Sequence, residues 1–204
     1  MMGKEFDDLA DIKGSGTVGV ITYLRTDSTR ISAEADANAR EYIAQNYGEN
    51  YVSAVAKKAD DGKKIQDAHE AIRPTDITRT PATLKDSLTR DQFRLYQLIW
   101  KRFAASRMNP AKYETTSIKI AAGEYRFSVA ASKNVFEGFR AVYVESDEEK
   151  EENNVLVKSI DKDSKLTKEE LEPKQHFTQP PAHYTEASLV KTMEELGIGR
   201  PSTY

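Results

Sequence analysis

The sequence predicts an α+β chain of more than one part, and three patterns predict it. Between residues 90 and 108, Leu95, Ile99 and Phe103 recur at helical spacing, with Tyr96 and Trp100 beside them. After Pro110 the apolar period changes to two, the spacing of a strand. Pro180-Pro181 then opens a third part that carries another helical pattern. Of 204 residues, 38% are hydrophobic and 31% charged. That is slightly poor in apolar residues, so one compact core with a looser part is expected.

Each element has its own signal. Gly14-Ser15-Gly16 breaks the N-terminal segment. Val18–Leu24 is uncharged and β-branched and predicts a buried strand. Arg25-Thr26-Asp27-Ser28-Thr29-Arg30 is a polar turn. Ser32 predicts the cap of a helix running to Tyr47 and ended by Gly48. A second helix is predicted over Asn50–Lys58, with Asn50 as its cap. A charged loop follows at Asp60–Asp67, and Pro74 disfavours helix at Arg73. Thr89 and Gln92 form a capping-box pair for the 90–108 helix, and Asn109-Pro110 stops it. Arg94 and Lys101 fall together on one flank of that helix.

Ile118, Ile120 and Ala122 alternate with Ser117, Lys119 and Ala121. Tyr125, Phe127 and Val129 alternate back beyond Gly123-Glu124, which predicts a hairpin. Ala141–Val144 and Val155–Val157 predict further short strands. The acidic run Glu145–Glu152 between them is expected to be a solvated loop. Carboxylates strung along one loop offer no fixed geometry to a metal ion. Thr185 predicts a cap for a helix with Leu189, Val190, Met193 and Leu196 on one face, closed by Gly197. Gly199–Tyr204 has the pattern of a further helix entry. Because the sequence stops there, and because Met1-Met2 has the look of an expression start, a piece of a longer protein is expected.

Composition excludes several classes. There is no cysteine, so disulfides and thiolate metal sites are excluded. No apolar run approaches the roughly 20 residues that span a bilayer. Met1-Met2-Gly3-Lys4 leads into acidic residues and lacks a signal-peptide core. The net charge of −3 argues against indiscriminate nucleic-acid binding. The charge is uneven, however. Residues 51–113 hold 13 Lys and Arg against 7 Asp and Glu, while the flanks on both sides are acidic. A solvated helical surface and a local phosphate-binding face both fit that pattern.

Tyr23 is the candidate nucleophile. A phenol ordinarily titrates near pH 10, so attack on a phosphodiester needs cationic or metal help. In a strand, residues i and i+2 share a face about 6.6 Å apart. Arg25 would then project beside Tyr23 and hold the phosphate that the phenol attacks. Alone, the pair is also what ordinary strand packing produces. His69, Glu70, Arg73 and Thr75 cluster around Ala68, Ala71 and Ile72. Histidine and arginine both donate to non-bridging phosphate oxygens, as phosphoryl transfer requires.

Three strings then carry a resemblance. Gly19-Val20-Ile21-Thr22-Tyr23-Leu24-Arg25-Thr26-Asp27-Ser28 resembles the active-site signature of bacterial type IA DNA topoisomerases. Ala68-His69-Glu70-Ala71-Ile72-Arg73-Pro74-Thr75 resembles that family's second signature. Pro180-Pro181-Ala182-His183-Tyr184-Thr185-Glu186-Ala187-Ser188-Leu189-Val190, with Gly197-Ile198-Gly199-Arg200-Pro201-Ser202-Thr203-Tyr204, resembles a third. The three stand in the family's order and cover residues from about 17 to 204.

The resemblance implies roles. Tyr23 becomes linked to a 5′ phosphate of cut DNA, Arg25 contacts the scissile phosphate, and His69 hydrogen-bonds it. Arg73 supports the site or binds DNA backbone. Ser28, His183, Tyr184, Ser188 and Arg200 fall in the DNA-contacting segments. His183 departs from the family, which commonly has arginine there, and a neutral imidazole is a weaker phosphate partner than guanidinium.

The resemblance also implies an architecture. Residues 1–16 are a lead-in and 17–110 a mostly helical domain bearing the tyrosine. Residues 111–178 are part of an antiparallel β-rich arch, and 179–204 are the start of a helical DNA-binding segment. A TOPRIM domain with Glu and Asp for Mg²⁺ would lie elsewhere in the polypeptide, so no cofactor is expected in this stretch. The implied partners are single-stranded or underwound DNA and the remaining domains of the same polypeptide, with no membrane. The implied location is the cytoplasm, at the bacterial nucleoid. A second reading makes the chain by itself a catalytically silent single-stranded DNA-binding module. A third, a tyrosine recombinase or type IB enzyme, also uses Tyr, Arg and His. Its tyrosine comes late in the chain, whereas Tyr23 precedes His69.

Overall fold

A computed structural model describes residues 10–12, 16–24, 28–54, 70–144, 164–199 and 203. They fall in two units, one within residues 1–156 and one within 157–204. The class is α+β, as the patterns predict.

In the first unit, strands β1 (Ala10–Ile12) and β2 (Gly16–Val18) pair antiparallel. Helix α1 spans Ala33–Tyr47. The Ser32 hydroxyl accepts from the Ala35 N–H at its start, and Gly48 ends it, as expected. The helix predicted over Asn50–Lys58 does not form in its described part. A short 3₁₀ turn, Glu49–Tyr51, leads instead to an extended Val52 that bridges Met108. The Ser53 N–H donates to the Arg107 carbonyl at 2.9 Å, so tertiary pairing takes the donor a helix would use. Residues 55–69 lie outside the described residues.

Helix α2 is a single turn, Pro81–Leu84, capped by Thr80 with proline at its first position. Helix α3 spans Arg90–Ser106 with the predicted Thr89–Gln92 capping box. It stops short of residue 108 because the Arg107 N–H turns back to the Ala104 carbonyl and the Met108 N–H to the Ala105 carbonyl. Its buried face differs from the Leu95–Ile99–Phe103 line. Tyr96, Trp100, Phe103 and Ala104 are buried, while Leu95 and Ile99 sit at the rim. The loop after residue 76 explains the rotation. Trp100 Nε1 donates to the Ile77 carbonyl at 2.9 Å, and the Tyr96 hydroxyl donates to the Arg79 carbonyl. Polar tips that find partners let both rings go inside. Around them pack Val20, Ile21, Ala39, Ile77 and Leu84, with Tyr42 edge-on to Trp100 at 5.8 Å.

Asp36 joins α1 to the end of α3, accepting from Arg40 Nε at 2.6 Å and Arg107 Nη1 at 2.8 Å. Burial alone would raise the Asp36 pKa. The hydrogen bonds and charge of Arg40 and Arg107 outweigh it and hold the carboxyl below its ordinary value.

The segment predicted as a strand over Val18–Leu24 is regular only through Val18. Val20 and Ile21 are both buried, so the simple alternation of a strand fails here. From Gly19 the chain zips instead against residues 71–75. Thr22 N–H donates to the Arg73 carbonyl at 2.9 Å, and Thr75 N–H to the Val20 carbonyl at 3.0 Å. These two bonds flank an Ile21–Pro74 bridge, where the ladder asks no N–H of the proline. The Thr22 hydroxyl adds two more links: it donates to the Ala71 carbonyl at 2.8 Å and accepts from the Arg73 N–H at 2.9 Å. Thr75 Oγ1 donates to the Gly19 carbonyl at 2.9 Å.

Strands β3 (Lys112–Ala122) and β4 (Tyr125–Phe136) form the predicted hairpin, with Ile118 opposite Val129 and Ile120 opposite Phe127. Its root is clamped to the helical body. Asn109 Nδ2 donates to the Asn50 and Val52 carbonyls, and its N–H to the Tyr51 carbonyl. Gly138 has φ 52°, and a Cβ there would fall 2.6 Å from the Pro110 oxygen, so only glycine fits. The strand predicted at Ala141–Val144 is absent. Gly138–Ala141 is a 3₁₀ turn, and the Val142 and Tyr143 N–H groups both return to the Phe139 carbonyl. The predicted strand at Val155–Val157 and the acidic run Glu145–Glu152 lie outside the described residues.

In the second unit, residues 164–185 have no regular structure, and helix α4 spans Glu186–Glu195. Thr185 caps it as predicted, in a capping box with Ser188. At its end the Gly197 N–H reaches Glu194 and the Ile198 N–H reaches Met193, a Schellman motif with Gly197 at φ 67°. Among the described residues no helix is long and apolar enough to cross a membrane.

Two predictions follow from this packing. Burial raises the Tyr96 pKa, with Asp76 adding to the shift and Arg79 opposing it. Its contribution is intact below about pH 10 and is lost above it, because the unfolded chain releases the proton first. Tyr96→Phe should lower stability by about 1 kcal/mol at pH 7 and flatten the fall above pH 10, read by thermal melts across pH. Thr22→Val should cost about 1–3 kcal/mol, because it strands the Arg73 N–H, while Thr22→Ser should not. Equal melting of wild type and the valine variant would show that the Thr22 hydroxyl does not hold the zipper.

Candidate active site

The zipper turns Tyr23 outward. Val20 and Ile21, just before Thr22, anchor the segment in the core, and Leu24 packs against it partly buried. Between them Tyr23 is 60% exposed, with its ring on the surface. Ordinary strand packing is thus excluded for Tyr23. A side chain held out from a segment fixed on both sides is what an attack on a large polymer needs.

The same bonds bring the first and second signature strings together. Thr22, next to Tyr23, is bonded to Ala71 and Arg73 of the second string. The Ala71 N–H also donates to the Arg30 carbonyl at 2.7 Å, so the chain leaving the first string is held to the second as well. The Arg73 guanidinium is already committed. Its Nε and Nη2 donate to Glu70 Oε2 at 2.9 and 2.6 Å, and its Nη1 to the Pro74 carbonyl at 3.0 Å. With a largely buried side chain, Arg73 stiffens the second string. That geometry matches site support better than direct contact with DNA backbone.

Ser28 faces inward. It is 7% exposed, and its Oγ accepts from the Arg30 N–H at 3.2 Å. An inward hydroxyl shapes the turn and is withdrawn from a strand of DNA on the surface. Arg25 and His69 lie outside the described residues, as do Thr26 and Asp27.

The second unit holds the third string. His183 is exposed, and Tyr184 is 65% exposed, just ahead of α4. The Ser188 hydroxyl is engaged in the capping box, accepting from the Thr185 N–H at 2.8 Å, which accounts for that residue without a ligand. Arg200 lies outside the described residues.

Among the described residues no group of three or more His, Cys, Asp or Glu could hold a metal ion. Glu70 is spent on Arg73.

Sequence reasoning missed Thr22 and Glu70. Thr22 passes for a strand former, and Glu70 for one polar residue among several. The signal at Thr22 is a hydroxyl beside the buried Ile21, where a polar group must find a partner.

Comparison with known proteins agrees with the three strings. A family model described as DNA topoisomerase matches residues 16–204. Full-length topoisomerase I from Thermotoga maritima is similar in structure, with a TM-score of 0.71 and 39% identity. The match covers 100% of this chain and 32% of that one, so the chain spans about a third of that protein's length. With the family model matched over nearly the whole chain and Tyr23 held outward on the first signature, the chain belongs to the bacterial type IA DNA topoisomerase family.

Proposed function

We propose that this chain carries the nucleophile of an enzyme that relaxes negatively supercoiled DNA. The observation that carries the reading is Tyr23 itself: exposed, in the family's signature, on a segment fixed by bonds to the second signature. In the proposed step, the Tyr23 hydroxyl oxygen attacks the phosphorus of one strand and gives up its proton. The P–O3′ bond breaks, the departing 3′ oxygen takes a proton, and a 5′-phosphotyrosine remains. Attack by the 3′-hydroxyl reverses every bond change after another strand has passed. The covalent link conserves the phosphodiester energy, so the cycle needs no ATP.

In this reading Arg25 and His69 donate to the non-bridging oxygens as charge builds there. Arg73 positions the second signature through Glu70 and the Pro74 carbonyl. Mg²⁺, where the whole enzyme uses it, is held by residues outside this chain. The exposed Tyr184 ring, beside His183, offers a base-stacking surface for single-stranded DNA.

The test is a covalent adduct assay in a full-length enzyme containing this segment. Wild-type protein should trap DNA in a denaturing gel, and Tyr23→Phe should abolish the adduct. A persisting adduct would remove Tyr23 from the chemistry. The 204-residue chain by itself should not relax supercoiled plasmid. Mg²⁺-dependent relaxation by the pure chain would overturn the assignment of the metal site to the rest of the enzyme.

A further inference from the structure

One flank of α3 carries charge that the fold does not use. Arg90, Arg94 and Lys101 fall within about 40° of one another around the helix, with Gln97 on the same stripe. Arg90 and Arg94 are exposed and Lys101 is half-buried. They extend over about 16 Å of helix, a length over which one strand of DNA presents about five phosphates.

Four other arginines of this unit have carboxylate partners, and Arg126, Arg102 and Arg140 have carbonyl or ring partners. Arg40 and Arg107 pair with Asp36, Arg73 with Glu70, and Arg79 with Asp76. Arg90, Arg94 and Lys101 form no ion pair among the described residues. Two of them are also badly placed for helix stability. Arg90 is the first helical residue, where the positive end of the helix dipole disfavours cations, and Arg94 lies one turn on. As an i,i+4 pair they repel each other. Asp91 lies about 100° from Arg90 and about 60° from Arg94 around the axis, and no ion pair forms between Asp91 and either. Packing accounts for the neighbouring face of α3 through Tyr96, Trp100, Phe103 and Ala104, and leaves this flank unexplained.

We propose that the Arg90–Arg94–Lys101 stripe is a DNA-backbone contact, which tracks phosphates without reading sequence. The identity of the partner rests on the reading of this chain as part of a DNA enzyme. The charge pattern itself does not depend on Tyr23. Arginine and lysine on phosphates position a duplex or single strand and release counterions as they bind.

The experiment measures binding of the 204-residue chain to a fluorescent oligonucleotide, single-stranded and as duplex, across a salt series. Changing Arg90, Arg94 and Lys101 together to Gln should weaken low-salt binding by roughly tenfold or more. It should also make the slope of log K against log salt shallower by about 2 for single strands and about 3 for duplex. Arg94→Gln alone should change the single-strand slope by about 0.7, which decides the matter if the triple variant melts early. A control with Lys119, Arg126 and Lys133 of the hairpin changed to Gln should keep its slope. Wild-type binding that ignores salt, an unchanged triple variant, or an equal loss in the control would each overturn the proposal. The adduct assay with Tyr23→Phe reads the cleavage chemistry separately. Loss of the adduct with unchanged stripe binding sinks only the stripe, and the reverse sinks only the nucleophile.

Discussion

The exchange of hydrogen bonds between residues 19–22 and 71–75 is the constraint on which the site depends. It joins two stretches about fifty positions apart and leaves Tyr23 on the surface between buried anchors. Pro74 makes the pairing short. It sits where the bridge requires no N–H, and the two flanking bonds complete the contact. Thr22 then does with a side chain what a longer ladder would do with backbone, using one hydroxyl as donor and acceptor.

The zipper is rigid only because of what lies beneath it. Val20 and Ile21 reach into the cluster built on Tyr96 and Trp100, and those two rings are fixed by bonds to the loop carrying Ile77 and Arg79. The second signature therefore leads directly into the loop that seals the core. Asp36 holds α1 to the far end of α3 through two arginines. Asn109 and Gly138 hold the root of the hairpin to the same body. The exposed Tyr23 thus rests on one continuous set of packed and hydrogen-bonded groups.

Helix α3 shows how one element divides its labour. Its aromatic side supplies the core, and its basic side lies outside with none of the carboxylate partners that neutralise neighbouring arginines. The uneven charge noted in the sequence is thus not spread evenly over the surface. Pairing with Asp36, Glu70 and Asp76 removes some of it, and the stripe on α3 keeps its share.

Local signals were legible in the sequence. Ser32, Thr89 and Thr185 cap their helices because short side-chain oxygens satisfy first-turn N–H groups wherever the chain begins a helix. The β3–β4 hairpin follows from alternation across a two-residue turn, and the family from three strings in order. What needed the tertiary structure was every choice between competing partners. Residues 50–52 gave up helix to bond with the 107–109 turn, and Ala141–Val144 gave up strand to close a turn on Phe139. The buried face of α3 rotated toward the rings whose polar tips found carbonyls. Ser28 turned inward and Arg73 spent its guanidinium on Glu70. Tyr23 could be singled out as a candidate from its neighbours in the chain. Its exposure was decided by residues 71–75, because a side chain's direction depends on what the backbone on either side is bonded to.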